Sequence, residues 1–357
     1  MSQRIERLRA KLEEEEIDGL IVTNPENRRY LTGFTGTGGV VLVSLDGAYL
    51  ITDFRYIEQA KQQTTDYEIV EQGDDKLKKI NHLVNKLEID KLGFAAKEET
   101  YQDYLNYQDR LDVELVATKY LVKDLRKIKD ERELDKIAQA VKITDNTFSK
   151  IQKQLEVGVR ERDIALELEF FQKRQGASKN AFDFIVASGV RSALPHGVAS
   201  NKSLEAGDLV TMDFGSVYQG YHSDMTRTVV VGAEPTEKQQ KIYNLVLKAQ
   251  ETAIAAIEAG KTGAEIDQIA RDIIADAGYG ANFGHGLGHS LGLKIHEHPR
   301  LSRTDDTVLQ PGMVVTVEPG IYIPDWGGVR IEDIVVVRED GCDILTNSPK
   351  ELLVLDH

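Results

Sequence analysis

Two short runs about a hundred residues apart share one pattern. "VTMDFG" (210–215) and "VTVEPG" (315–320) both read Val-Thr-apolar-acid-x-Gly, and downstream of each an acid opens a β-branched run, "SDMTRTVVV" (223–231) and "IEDIVVV" (331–337). The repeat constrains this region to a duplicated β unit with acids in matching places: Asp213 and Glu318, then Asp224 and Glu332. Asp213 and Asp224 are symmetric about the Tyr218–Gln219 junction, and Glu318 and Glu332 about Asp325 in "PDWGG". Turns centred there set each pair face to face across a hairpin, with Cβ atoms about 4.5–5.5 Å apart. Like charges so opposed destabilise a sheet, and burial raises the cost unless protons or cations intervene. The plainer alternative puts each acid on a polar face with its own salt bridge. It sits poorly with Met212, Phe214, Val317 and the apolar runs after Asp224 and Glu332, which have the composition of core.

A second feature is "FGHGLGHSLGLKIHEHP" (283–299), which holds four of the eight histidines. Gly284 and Gly286 have dinucleotide-loop spacing, but His289 takes the third glycine's place and no Gly-Lys-Ser/Thr follows. His285 and His289 have the spacing of a zinc helix, yet no glutamate follows the first, and the glycines oppose a helix. "DFG" at 213–215 lacks the other kinase motifs. What is left is a strand or loop that brings backbone close to a site and offers imidazole to it, joined by "HEHP" and by His196 in "LPHG". His82, His222 and His357 lack such context and read as surface or structural. Four carboxylates with one histidine form an oxygen-dominated set suited to Mn²⁺, or to Co²⁺, Fe²⁺ or Zn²⁺. Their four negative charges call for two divalent ions.

The rest of the chain bounds this reading. A length of 357 residues suggests about two domains. A net charge of −15 opposes nucleic-acid binding. One cysteine, Cys342, excludes an intrachain disulfide and suits a reducing cytoplasm. No apolar run approaches the roughly 18 residues of a membrane span, and the opening "MSQRIERLRAKLEEEE" lacks the apolar core of a signal peptide. Helical and strand signals alternate first: a helix over Ser2–Glu16, a strand in "DGLIVTN" (18–24), a hairpin about Asp46-Gly47, a helix near Phe54–Gln63. Strands near Tyr67–Glu71, Lys91–Ala95 and Val113–Ala117 follow, with helices between. The stretch 120–158 is charged and helical, and its opening turn is the expected junction. A capping box at Thr236 and Gln239 predicts a helix that stops at Gly260. The expected class is α/β (α+β), with an N-terminal α/β domain over 1–125 and a second domain over 126–357.

Together "YLTGFTG" (30–36), "TDFRY" (52–56), "LPHG", "MDFG…SDMTRT", "GHGLGH", "HEHPR", "VEPGIY" and "GGVRIED" resemble, in order and along the whole chain, the proline-specific metallopeptidases of the pita-bread fold. These are the Xaa-Pro dipeptidases (prolidases) and aminopeptidases P. The resemblance implies a creatinase-like N-terminal domain, a pseudo-symmetric catalytic domain and two divalent ions. Asp213 would hold one ion, His289 and Glu318 the other, and Asp224 and Glu332 would bridge. A water activated between the ions would attack the carbonyl before proline, with Glu318 carrying its proton. His296 would meet the developing oxyanion, and His196 the scissile carbonyl or the proline. His285 and Tyr322 would line the proline pocket, and Arg330 would orient the site. Arg300 matches an arginine suited to a dipeptide's carboxylate, which favours the dipeptidase over the aminopeptidase. A peptide-binding module without catalysis is the third reading, disfavoured because all five ligand positions are filled. The resemblance also implies a homodimer, or a tetramer, acting on small proline-containing peptides in the cytoplasm, without nucleic-acid or membrane partners.

Overall fold

The computed structural model describes residues 3–355; Ser2, where the first helix was expected to begin, and His357 lie outside them. The chain divides into two compact units, one ending at Arg126 and the other beginning at Lys127.

The first unit is built on a six-stranded mixed sheet, in the order Glu68–Glu71, Ala48–Thr52, Val40–Ser44, Gly19–Val22, Lys91–Ala95, Glu114–Thr118. Its centre is the expected hairpin: Val43 pairs with Ala48, and the turn closes through the Ser44 N–H on the Gly47 carbonyl (2.8 Å). Every residue of Val40–Ser44 is buried, as a strand covered on both faces requires. The first helix spans Gln3–Glu14 and is cut short of Glu16, whose φ is +54°.

In the second unit the helical stretch breaks at 128–130. Ile128 bridges to Met313, and Asp130 then caps the helix Glu131–Ile151 in a reciprocal box with Glu133. A four-stranded sheet follows, in the order Val354–Leu355, Met225–Val231, Asp208–Phe214, Ile185–Ser188, backed by the helices Glu131–Ile151 and Glu161–Arg174. Its counterpart has five strands: Glu297–Leu301, Gly288–Ser290, Val314–Val317, Asp333–Arg338, Gly341–Ile344. The helices Glu237–Ala255 and Gly263–Asp276 pack against that one. Two sheets, each with its helix pair, give the duplicated α/β architecture expected from the repeat. The box at Thr236 and Gln239 forms, but the helix ends at Ala255 rather than Gly260. Ala256 and Ile257 already bond three residues back, and Gly260, at φ +91°, bonds instead to the Leu309 carbonyl.

The two hairpins differ in how they meet expectation. Val317 pairs with Asp333 and Gly320 with Arg330, so Glu318 and Glu332 occupy opposed places, as their symmetry about Asp325 predicted. In the other hairpin Tyr218 pairs with Tyr221 and Asp213 with Thr226, not with Asp224. A two-residue turn with positive φ at both centres needs its glycine inside, and Gln219 (+46°) and Gly220 (+87°) supply that pair. The register moves by two residues, so Asp213 and Asp224 are diagonal neighbours on one face rather than a direct pair.

Candidate metal centre

The ladder of the second hairpin is interrupted where Glu318 and Glu332 stand. The Glu318 N–H leaves its hairpin to bond the Leu287 carbonyl (2.8 Å), and the Glu332 N–H bonds the Thr226 carbonyl of the other sheet (3.1 Å). These crossings bring carboxylates of both halves together. Ligand atoms of Asp224, His289 and Glu332 all lie within 4.8 Å of one another. His289 Nε2 is 3.5 Å from Asp224 Oδ2 and 3.4 Å from Glu318 Oε1. Asp213 Oδ1 and Glu332 Oε1 are buried without a hydrogen-bonding partner among the described residues. Buried acceptors left bare in a group of four acids fit divalent cations, and the donor set of four carboxylates and one imidazole is chemically suited to them.

The electrostatics agree. Burial pushes all four carboxyls above their ordinary range: Glu318 to about 8, Asp213 despite the opposing Arg330 charge, and Asp224 and Glu332 further through the neighbouring acids. Burial also drives His289 down to about 3, with His296 adding to the effect. The ring is therefore neutral. Its Nδ1 is 3.1 Å from the Ser290 carbonyl and donates to it, which leaves the Nε2 lone pair facing the acids.

The glycine-rich run has a specific support. It enters as an irregular segment and becomes the strand Gly288–Ser290, not a helix. A methyl at Gly288 would stand 2.0 Å from the Thr316 carbonyl oxygen, so only glycine allows this approach. Three of its backbone groups are met by the buried pair Asp267 and Arg271 on the preceding helix. Arg271 holds Asp267 in a fork (2.8 Å twice) and donates to the carbonyls of Phe283 (2.9 Å) and His285 (2.8 Å). Asp267 accepts the Leu287 N–H (2.9 Å). Sequence reasoning missed this pair. Its i, i+4 spacing was a visible signal, but one that usually marks a solvated helix face.

Arg330 ties the acids to the pocket. It donates to Asp213 Oδ2 (2.6 Å), to the Tyr322 hydroxyl (2.8 Å) and to Thr226 Oγ1 (2.9 Å), and Thr226 in turn donates to Glu332 Oε2 (2.8 Å). The Tyr322 hydroxyl lies 2.9 Å from His285 Nε2, while His285 Nδ1 donates to the Gly286 carbonyl (2.8 Å). Burial lowers His285 to about 4, so it too is neutral. Thr226 and Thr316, which bonds Glu318 Oε1 (3.2 Å), are further orienting groups that the motifs alone did not single out.

One cleft of about 610 Å³ gathers every residue singled out from the sequence: Asp213, Asp224, His289, Glu318 and Glu332 with His196, His285, His296, Arg300, Tyr322 and Arg330. Of these eleven, His196, His296 and Arg300 are exposed. His222 lies apart, buried with Nδ1 3.0 Å from the Gly292 carbonyl, and His82 is exposed. The cleft also takes in Phe182, Asp183, Ile185, Val198 and Ile295, none of which the sequence pattern marked.

Comparison with known proteins assigns both units. Residues 135–339 match the metallopeptidase family M24, and residues 4–128 the creatinase/prolidase N-terminal domain. The chain is 42% identical to an Xaa-Pro dipeptidase of Pyrococcus furiosus, over 99% of this chain and 100% of that one. It is similar in structure to an Xaa-Pro dipeptidase from Bacillus anthracis (TM-score 0.97, 50% identity, 99% of each chain). An X-Pro aminopeptidase from Thermotoga maritima is also similar (TM-score 0.91, 40% identity, 96% of this chain and 99% of that one). With the acids and imidazole of both sheets gathered in one cleft, the chain belongs to metallopeptidase family M24, as its motifs implied.

Proposed function

We propose that the protein hydrolyses the peptide bond between an N-terminal residue and proline, with Xaa-Pro dipeptides as its preferred substrates. The observation that carries this reading is the charge layout of the cleft. A cage of four acids and a neutral imidazole lies in the cleft that Arg300 also lines, and the exposed Arg300 guanidinium has no carboxylate partner among the described residues. A dipeptide presents its carboxylate one residue beyond the scissile bond, and a free guanidinium is the group suited to bind it. Asp213, Asp224, His289, Glu318 and Glu332 would hold two divalent ions, manganese first among the candidates. When bound, these supply Lewis acidity and a water of lowered pKa.

The remaining steps fall to the chain's own residues. Glu318, whose side chain is 17% exposed, takes up and returns a proton on the cleft side. His296, ring to ring with His289 at 4.5 Å and held low by the partial desolvation of its ring and by the Arg300 charge, is placed to hydrogen-bond the carbonyl oxygen as charge grows on it. His285 and Tyr322, locked together, offer the pyrrolidine ring a neutral wall, and His196 closes it. Because an Xaa-Pro bond has no amide N–H, such a wall serves where an N–H acceptor could not. Arg330 orients Asp213 and Tyr322 and takes no proton.

The second reading is an aminopeptidase removing Xaa from longer Xaa-Pro peptides, favoured by the likeness to the Thermotoga maritima X-Pro aminopeptidase. Hydrolysis of Ala-Pro and Ala-Pro-Ala with added Mn²⁺, before and after chelation, tests both. Arg300→Ala is expected to weaken Ala-Pro cleavage about tenfold or more, the worth of a charged hydrogen bond, and Ala-Pro-Ala cleavage far less. Equal losses on both peptides would remove the clamp. The family resemblance further supports a cytoplasmic homodimer, which sedimentation of the purified protein tests.

A further inference from the structure

One acid in the cleft has no task in the metal cage. Between Asn180, which pairs with Ser216, and Ile185, which pairs with Asp213, the chain fits residues 181–184 against only Phe214 and Gly215. The surplus makes a bulge, a device that re-aims side chains beside active sites. Ala181 anchors one side through its N–H on the Gly215 carbonyl (2.9 Å). Phe184 turns inward and packs edge-on against Phe214 (6.0 Å between centroids). Phe182 and Asp183, between these anchors, line the cleft instead. Asp183 is exposed, and its carboxylate has neither a hydrogen bond nor an ion pair among the described residues. Ile185, two residues on, bridges to Val198, so an acid tip stands beside an apolar wall of Phe182, Ile185 and Val198. Apolar wall and terminal charge together match a side chain with a long aliphatic stem and a cationic end.

We propose that Asp183 sets the residue preferred before proline, favouring Lys and Arg over Glu and Asp at that place. The proposal rests on the Xaa-Pro reading and deepens it. On the manganese-loaded full chain, kcat/KM is measured for Lys-Pro, Leu-Pro and Glu-Pro at low and high salt. Wild type is expected to prefer Lys-Pro to Glu-Pro, and D183N to shrink that ratio about tenfold, because one attraction and one repulsion vanish together. D183K is expected to invert the ratio, and added salt to weaken the wild-type preference. Leu-Pro is the internal reference. Equal losses on all three dipeptides in D183N, or a Lys-Pro to Glu-Pro ratio that moves less than about twofold, would overturn the assignment. Failure of the wild type to cleave any of the three would overturn the Xaa-Pro reading itself, a result distinct from a cleaving enzyme whose preference ignores Asp183.

Discussion

Glu332→Gln is expected to lower kcat/KM on Ala-Pro by about a thousandfold while leaving the metal-free protein at least as stable as the wild type. Glu332 is 1% exposed; one carboxyl oxygen accepts from Thr226, and the other faces Asp224 and His289 without a hydrogen bond. Glutamine has the same shape, keeps the Thr226 bond through its carbonyl and turns its amide toward Asp224. What it removes is one negative charge at the heart of the cation cage. Outer partners of metal ligands are commonly worth about ten- to a hundredfold in affinity or activity, and a ligand itself should cost more.

Stability should move the other way. Burial and the charges of Glu318 and Asp213 hold the Glu332 carboxyl well above its ordinary range, so ionising it without a cation is unfavourable. A neutral amide escapes that penalty at every pH. Melting temperatures with and without Mn²⁺ provide the check: the wild type should gain strongly from the ion and the variant little. A variant that unfolds markedly earlier than the wild type without metal would make Glu332 a structural residue and undo the cage.

The contrast between the hairpins shows what the sequence could and could not specify. "PDWGG" places its turn without ambiguity, so counting outward from Asp325 put Glu318 opposite Glu332 correctly. Counting outward from Tyr218–Gln219 failed by two residues, because the turn must contain Gly220 to satisfy two positive φ values. Since side chains alternate with period two, the slip left both acids on the same face and the site survived it. The two-domain α/β plan was equally readable, from the alternation of helix and strand signals and from the repeat. The Asp267–Arg271 pair was not. Its value lies in the carbonyls it reaches on a segment packed against it, and only tertiary structure supplies those. Asp183 was hidden for a related reason: its bulge comes from fitting 181–184 to a strand some thirty residues later, a mismatch no local pattern records.

The cage also makes a prediction about pH that needs no substrate. Metal-free protein should lose stability as pH rises from 6.5 to 8, and divalent ions in excess should abolish that slope. A carboxyl whose pKa is higher in the folded than in the unfolded chain keeps its proton when folded and loses it when unfolded, so rising pH favours unfolding across that window. Glu318, lifted from 4.5 to about 8, spans the whole interval, and Asp224 and Glu332 shift in the same direction. The histidines act oppositely. His289 and His285, lowered from 6.5 to about 3 and about 4, add stability as pH rises, most of it below the unfolded value of 6.5 and a small remainder in the pH unit above it. Across 6.5 to 8 the carboxyls outweigh that remainder. Each carboxyl that keeps its proton only in the folded chain should cost about 1.4 kcal/mol per pH unit across that window. With cations bound, the ligands are ionised in both states, so no protons are exchanged on unfolding and the slope vanishes. Urea unfolding at the two pH values, with chelator and with excess Mn²⁺, distinguishes the cases. A metal-free protein equally stable at both would mean that these acids already find protein partners, and the case for a pair of cations between the two sheets would fail with them.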